Sequence, residues 1–310
     1  MKIFITGITG FVGSTLANKF IDDGFEVTGL GRKESLPAHV HKSCVYVKAD
    51  ITNPIPVINA DIVIHAAAQV DDAATYEEHF DVNVTGTFNV LNACNHQCVL
   101  FILISTSSVY YFKKNTAFSE EEAGLPFESL SHYGKTKFLA EQLVVQNTEL
   151  KRKIILRPRA IYGPADTVLL PRLLRLVKGK FLIIPAHLTT QISLTHIYNL
   201  AQAVEKCFNY SSEDTAIFNV ADDSVYSLKE ALPALISTVV SSPLKTIVVP
   251  KIIWNAVMAL NNIFHFIPKL TSFGSKQLTQ VALLNTVKIK EELGYDPQFI
   301  FTKFIMESKK

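Results

Sequence analysis

The chain has 310 residues, 48% hydrophobic and 19% charged, with a formal net charge of +2. That is enough apolar material for a large core in one or two domains, and a near-neutral charge with no basic stripe argues against a nucleic-acid partner. Cys44, Cys94, Cys98 and Cys207 lack both a disulfide framework and a zinc spacing, so reduced thiols, no metal and a cytoplasmic location are expected.

Lys2 to Ile5 reads as a short buried strand, followed at once by Thr6-Gly7-Ile8-Thr9-Gly10-Phe11-Val12-Gly13 and a helical apolar pattern through Ile21. A glycine-rich turn between strand and helix is the setting in which backbone N–H groups and a helix N-terminus receive a pyrophosphate. Gly7 would permit the tight turn, Gly10 the approach of the phosphates, and Gly13 close packing of helix on sheet. The second strand, Glu26 to Leu30, runs into Gly31-Arg32-Lys33. An NAD-binding chain would offer a carboxylate there for the ribose 2′-hydroxyl. Arg32 instead suits a 2′-phosphate, which favours NADP with NAD as the alternative; a merely solvated loop is the competing reading. The third strand ends at Asp50-Ile51, where Asp50 could accept a hydrogen bond from the adenine amine. A fourth, Asp61 to His65, opens into Ala66-Ala67-Ala68, small residues that leave room for a cofactor. His65, with no ligand-spaced partner, reads as a packed residue.

Further strands are expected at 99–105 and 153–157, and helices over 80–94 and 133–147. The alternation through about residue 165 implies a parallel sheet covered on both faces. After Gly163-Pro164 the texture changes. A helix at 169–178, short strands near 181–184 and 192–195, a helix at 197–208, a strand at 217–220 and a helix capped by Ser227 with Glu230 three residues on suggest a smaller lobe. Residues 166–310 are therefore read as a substrate lobe with segments returning to the first sheet, and 1–165 as the dinucleotide-binding domain. The apolar stretch Ile252 to Ile267 is broken by Asn255, Asn261, Asn262 and His265, so it is no spanning helix; contact with a membrane surface and packing on the core are both open to it.

Tyr133 and Lys137 stand at i and i+4, on one face of a helix, downstream of the strand end Ile104-Ser105-Thr106-Ser107-Ser108. A free tyrosine has a pKa of about 10. A neighbouring ammonium favours the phenolate, so Lys137 is expected to pull Tyr133 down and let it exchange a proton with a carbonyl or alcohol. Lys137 would also hold the nicotinamide ribose, and Thr106 would orient the reacting oxygen.

These motifs together resemble the extended short-chain dehydrogenase/reductases, over nearly the whole chain. The resemblance implies a Rossmann-type doubly wound α/β fold and a catalytic set of Thr106, Tyr133 and Lys137. It also implies a cofactor site formed by Gly7, Thr9, Gly10, Phe11, Val12, Gly13, Arg32, Asp50, Ile51, Ala66, Ala67, Ala68, Asn83, Tyr133, Lys137 and Pro158. Asn83 matches a family asparagine. Leu156-Arg157-Pro158-Arg159-Ala160-Ile161-Tyr162-Gly163-Pro164 matches the segment that closes over the nicotinamide, and Leu293-Gly294-Tyr295-Asp296-Pro297 a C-terminal signature. The resemblance also implies a homodimer, formed through the helices near 80–97 and 133–147.

Within that family Ile192 falls where nucleotide-sugar enzymes often carry an arginine for the substrate pyrophosphate. The run from Ile192 to Ala201, with Val168 to Leu174 and Pro268-Lys269-Leu270-Thr271, resembles the 3β-hydroxysteroid-dehydrogenase-like branch. The resemblance implies a carbonyl–alcohol interconversion on a largely apolar small molecule. A nucleotide-sugar epimerase or dehydratase stays open because Arg159, Arg172 and Arg175 could hold a diphosphate, and a non-catalytic NADP-binding module is a third reading. His187 and His196 read as structural.

Overall fold

The structure is a computed structural model and describes residues 1–111, 117–185, 191–240, 242–264 and 282–308. Its centre is a seven-stranded sheet with every pairing parallel. Chain order gives β1 (Lys2–Thr6), β2 (Glu26–Gly31), β3 (Val45–Lys48), β4 (Ile62–His65), β5 (Leu100–Ile104) and β6 (Lys153–Pro158). Spatially β3, β2, β1, β4, β5 and β6 follow one another. The seventh strand, Ala216–Val220, pairs with β6 at the far edge. Strand order thus reverses between β1 and β4, and a crevice at such a point is where α/β sheets bind ligands.

The strands are near-continuous apolar runs because both faces are covered. Residues of β4 and β5 are all buried. On one face α1 (Phe11–Asp22) and the helix Ile197–Cys207 pack with Phe20, Leu200 and Val204 in the core; on the other, Val90, Leu91 and Val144 pack against Phe101 and Ile155. These last come from α3 (Gly86–Ala93) and α4 (His132–Gln146).

The helix expected over 80–94 begins earlier. A short α-helix, α2 (Tyr76–Phe80), capped by Thr75 and Glu78, passes through one π-helical turn at Asp81–Thr85 into α3. The helix expected over 169–178 ends at Leu174 and gives way to the strand Val177–Lys178. Ser227 is the cap residue of the helix Leu228–Ile236, as expected, but its side chain makes no cap hydrogen bond. The returning segments have their own small sheets and a separate apolar cluster of Leu173, Ile184, Ile192, Leu232, Trp254 and Phe301. Ile192 is buried there and paired with Tyr226. His187 and the segment 268–271 lie outside the described residues.

Candidate active site

The glycine turn has the geometry its spacing predicts. Gly7 sits at φ +72°, and a Cβ there would stand 2.7 Å from the Ala67 backbone nitrogen. A Cβ on Gly13 would come within 2.3 Å of the Gly7 carbonyl oxygen, so only glycine lets α1 approach the turn this closely. Gly10, at the N-cap of α1, offers no side chain to its first-turn N–H groups, which leaves them for an anion. The groove beside this turn holds about 210 Å³ and is lined by Gly7, Thr9, Gly10, Arg32, Asp50, Ile51 and Ala66 to Ala68, among others. Arg32 is exposed at its rim. One Asp50 oxygen accepts the Thr52 N–H and hydroxyl, each at 3.0 Å, fixing the carboxylate in the wall. A cradle that a methyl group would fill, an uncapped helix end and a cation at the rim suit a dinucleotide.

Asn83 is 1% exposed and stands in the π-helical turn. Its amide donates to Thr136 Oγ1 at 3.0 Å and to the Gln69 carbonyl at 3.3 Å, and its oxygen accepts the Gln69 N–H at 2.8 Å. Asn83 therefore ties the loop after β4 to α4. His65 is fully buried between Thr6 Oγ1 (2.7 Å) and Thr87 Oγ1 (2.9 Å), and burial holds its pKa down to about 3.

Tyr133 lies in the first turn of α4, capped by Ser131 Oγ, which accepts the Gly134 N–H. A Cβ on Gly134 would meet the Ser108 carbonyl oxygen at 2.3 Å. Glycine next to Tyr133 thus lets α4 press against the turn after β5, where Thr106 Oγ1 accepts the Ser108 N–H at 3.1 Å and donates to Ser108 Oγ at 3.3 Å. The electrostatics differ from the sequence expectation. Burial raises the Tyr133 pKa above its ordinary value, opposed by the Arg172 guanidinium and the neighbouring Thr106 hydroxyl. Lys137, expected to lower it, is 1% exposed and donates to the Ile104 carbonyl at 2.8 Å. Burial brings the lysine down to about 8, and Glu141 opposes that.

Behind these residues is a buried polar network that sequence reasoning did not assign. Arg157 of β6 binds Glu141 of α4 bidentately at 3.0 and 2.7 Å, with side chains 2% and 0% exposed. Ser105 donates to the same carboxylate, Arg157 also reaches Tyr110 and the Glu120 carbonyl, and Tyr110 donates to Asn219. The network locks β5, α4, β6 and the returning edge strand together. Two signals were available: an arginine inside an apolar strand, and a glutamate one helical turn beyond Lys137.

A second cavity, of about 240 Å³, adjoins the nucleotide groove and shares Ala66 and Ala68 with it. Thr106 and Tyr133 lie in its wall, with Phe11, Val12 and Pro158. Val168, Leu169, Leu173 and Leu176 also line it, together with Arg159, Arg172 and Arg175; Val70 and Asp72 come from the loop after β4. Among the described residues no His/Cys/Asp/Glu cluster could hold a metal ion, and no helix is long and apolar enough to cross a membrane.

A family model described as the NAD dependent epimerase/dehydratase family matches residues 3–221, so the chain belongs to that family, the extended short-chain dehydrogenase/reductases. It is an NAD(P)-dependent enzyme of that class. Among its relatives, a 2-alkyl-3-oxoalkanoate reductase of Stenotrophomonas maltophilia is 25% identical, covering 96% of this chain and 95% of its own. A 3 beta-hydroxysteroid dehydrogenase/Delta 5→4-isomerase of Mycobacterium tuberculosis is 26% identical over 99% of this chain and 89% of its own. The solved structure of MoeE5 with UDP-glucuronic acid and NAD superposes with a TM-score of 0.76, covering 100% of this chain and 99% of that one at 20% identity. That likeness bears on the fold.

Proposed function

We propose that this enzyme interconverts a carbonyl and a secondary alcohol on a largely apolar small molecule and prefers NADP. The observation that carries the reading is that Thr106 and Tyr133 both line an apolar cavity that shares Ala66 and Ala68 with the groove beside the glycine turn. Gly7, Gly10 and Gly13 would seat the pyrophosphate, Asp50 the adenosine end, and Arg32 a 2′-phosphate. When bound, the nicotinamide supplies or accepts the hydride. Burial keeps Tyr133 protonated at neutral pH, the form that donates to a carbonyl oxygen. Thr106 holds that oxygen within reach of the phenol. Lys137, anchored on the Ile104 carbonyl, lies where α4 meets the cofactor side of the sheet. Residues 1–165 then form the dinucleotide half, and 166–310 the substrate lobe. The relatives that act on a 3-oxoalkanoate and on a 3-hydroxysteroid support this chemistry.

The test is a panel of long-chain and sterol-type ketones beside UDP- and GDP-sugars, with NADPH and NADH, on wild type and Tyr133→Phe. Stoichiometric NADPH oxidation on an apolar ketone is expected, lowered about 10²- to 10⁴-fold in Tyr133→Phe. Inversion of a nucleotide sugar without net NADPH consumption, or full activity in folded Tyr133→Phe, would overturn the reading.

A further inference from the structure

The second lobe is one-sided in charge. No aspartate or glutamate occurs between Asp166 and Glu205, or between Glu230 and Glu291, although the whole chain carries 28 acidic residues against 30 lysines and arginines. Those two stretches hold the three strands of a small sheet, Val177–Lys178, Phe181–Pro185 and Lys245–Val249, and the helix Lys251–Phe264 that follows the last of them. We propose that this surface docks on an anionic lipid bilayer, with Ile252 and Ile253 entering the headgroup boundary and Lys178, Lys180, Lys245 and Lys251 meeting the lipid phosphates.

The strand register builds the surface. Phe181 pairs with Lys178 on one side and Lys245 on the other, and Ile183 pairs with Ile247. Residues in register share a face, and side chains alternate along a strand. Lys178, Phe181, Ile183, Lys245 and Ile247 therefore lie on one face, and the buried Leu182 and Ile184 on the other. Phe181 and Ile247 are exposed. From Ile247 the chain runs Ile-Val-Val-Pro-Lys-Ile-Ile to Ile253 without one buried residue; Ile252 is 85% exposed and Ile253 53%. In the helix, Trp254 and Met258 turn into the lobe's apolar cluster. Helical periodicity sets Ile252, Ile253, Ala256, Ala259 and Leu260, all exposed, on the opposite side. The helix is thus apolar on two faces, one more than packing on the core requires. Single exposed hydrophobic residues are ordinary, but a contiguous patch with a polar rim marks an interaction site.

The charge selects the occupant. Among the described residues none of the four lysines forms an ion pair. A second copy placed face to face would set lysines against lysines with no carboxylate from either stretch to offset them. An anionic bilayer satisfies both features at once: isoleucines enter the acyl boundary while the ammonium groups stay among the phosphates. The same small sheet is tied to the substrate cavity, because the Ile183 N–H donates to the carbonyl of Leu176, a residue of the cavity wall, at 2.9 Å.

The experiment is flotation of the whole chain with phosphatidylcholine vesicles, with and without phosphatidylglycerol, at low and high salt. Wild type is compared with Ile252→Ser/Ile253→Ser and with Lys245→Gln/Lys251→Gln, and light scattering without vesicles gives the mass of each. All four positions are exposed, so thermal unfolding should stay unchanged. Wild type should float with phosphatidylglycerol vesicles, more weakly as salt rises, and much less with phosphatidylcholine alone. A lysine at the surface contributes roughly fivefold to binding, so the lysine pair should lower partitioning about 25-fold. Loss of the two isoleucines should lower it about 10- to 100-fold. Wild type that stays off phosphatidylglycerol vesicles overturns the proposal, as does equal binding to both vesicle types, or a folded isoleucine variant that floats like wild type. A dimer that the isoleucine substitutions dissolve would assign the surface to a second copy and overturn it too; a mass they leave unchanged supports the lipid.

Discussion

Replacing Lys137 by methionine should stabilise the fold while it disables the enzyme. Lys137 is 1% exposed, and burial moves its pKa from the usual 10.5 to about 8. At about 1.4 kcal/mol per tenfold change in proton affinity, holding the charged amine costs the folded state about 3 kcal/mol at pH 7. Methionine has a similar length and no charge. It also abandons the 2.8 Å bond to the Ile104 carbonyl, a loss of about 1 kcal/mol, so the net gain is about 2 kcal/mol. The sign with pH follows from linkage. Below pH 8 the lysine is charged in both folded and unfolded chains, and the penalty is complete. Between about 8 and 10.5 the folded chain has released the proton and the unfolded chain still binds it, so wild type gains stability as pH rises. Urea unfolding at pH 7 and pH 10 reads this directly: the methionine variant should be more stable at pH 7, with most of the advantage gone at pH 10. A variant less stable than wild type at pH 7, or a gap that ignores pH, would refute the argument. Turnover should be lost in the variant, and wild-type kcat/KM should fall as pH rises through about 8.

Arg32→Ala should narrow the preference for NADPH over NADH by about 1.5 kcal/mol or less, since the guanidinium is exposed and its bond to a phosphate is partly screened; equal affinities in wild type would dismiss the assignment. Gly13→Ala places a methyl group 2.3 Å from the Gly7 carbonyl oxygen, so the turn must move. It should cost about 1–3 kcal/mol and most cofactor affinity, both measurable by thermal unfolding with and without NADPH. Arg157→Ala strands the fully buried Glu141 carboxylate and should cost about 3–5 kcal/mol in urea unfolding. Arg157→Met combined with Glu141→Leu should recover most of it, and a double variant as unstable as the single would argue against a desolvation origin.

The nucleotide half was legible in the sequence because its determinants are local. A buried parallel strand needs an unbroken apolar run, as in Leu100–Ile104. A turn with glycine at positions 7, 10 and 13 has one close-packed solution, so the strand–turn–helix unit follows from composition and spacing alone. The i, i+4 spacing that puts Tyr133 and Lys137 on one helix is equally local. What those groups experience was not legible. Whether Lys137 faces the phenol or the Ile104 carbonyl, and whether Tyr133 is pulled down by a lysine or pushed up by burial, depends on which surfaces close over α4. The partners of Asn83 were equally out of reach of the sequence: the π-helical turn carries it to Gln69 and Thr136. The Glu141–Arg157 pair joins a helix to a strand 16 residues on, and the cavity brings Asp72 beside Arg172, 100 positions later in the chain. The sequence by itself thus determined the sheet and the glycine cradle and placed Tyr133 and Lys137 on one helix, because backbone sterics and periodicity act over a few residues. The tertiary structure alone decided which charged groups share the cavity beside Thr106 and the protonation of Tyr133 and Lys137, because desolvation and Coulomb fields depend on distances in space that the chain's order does not encode.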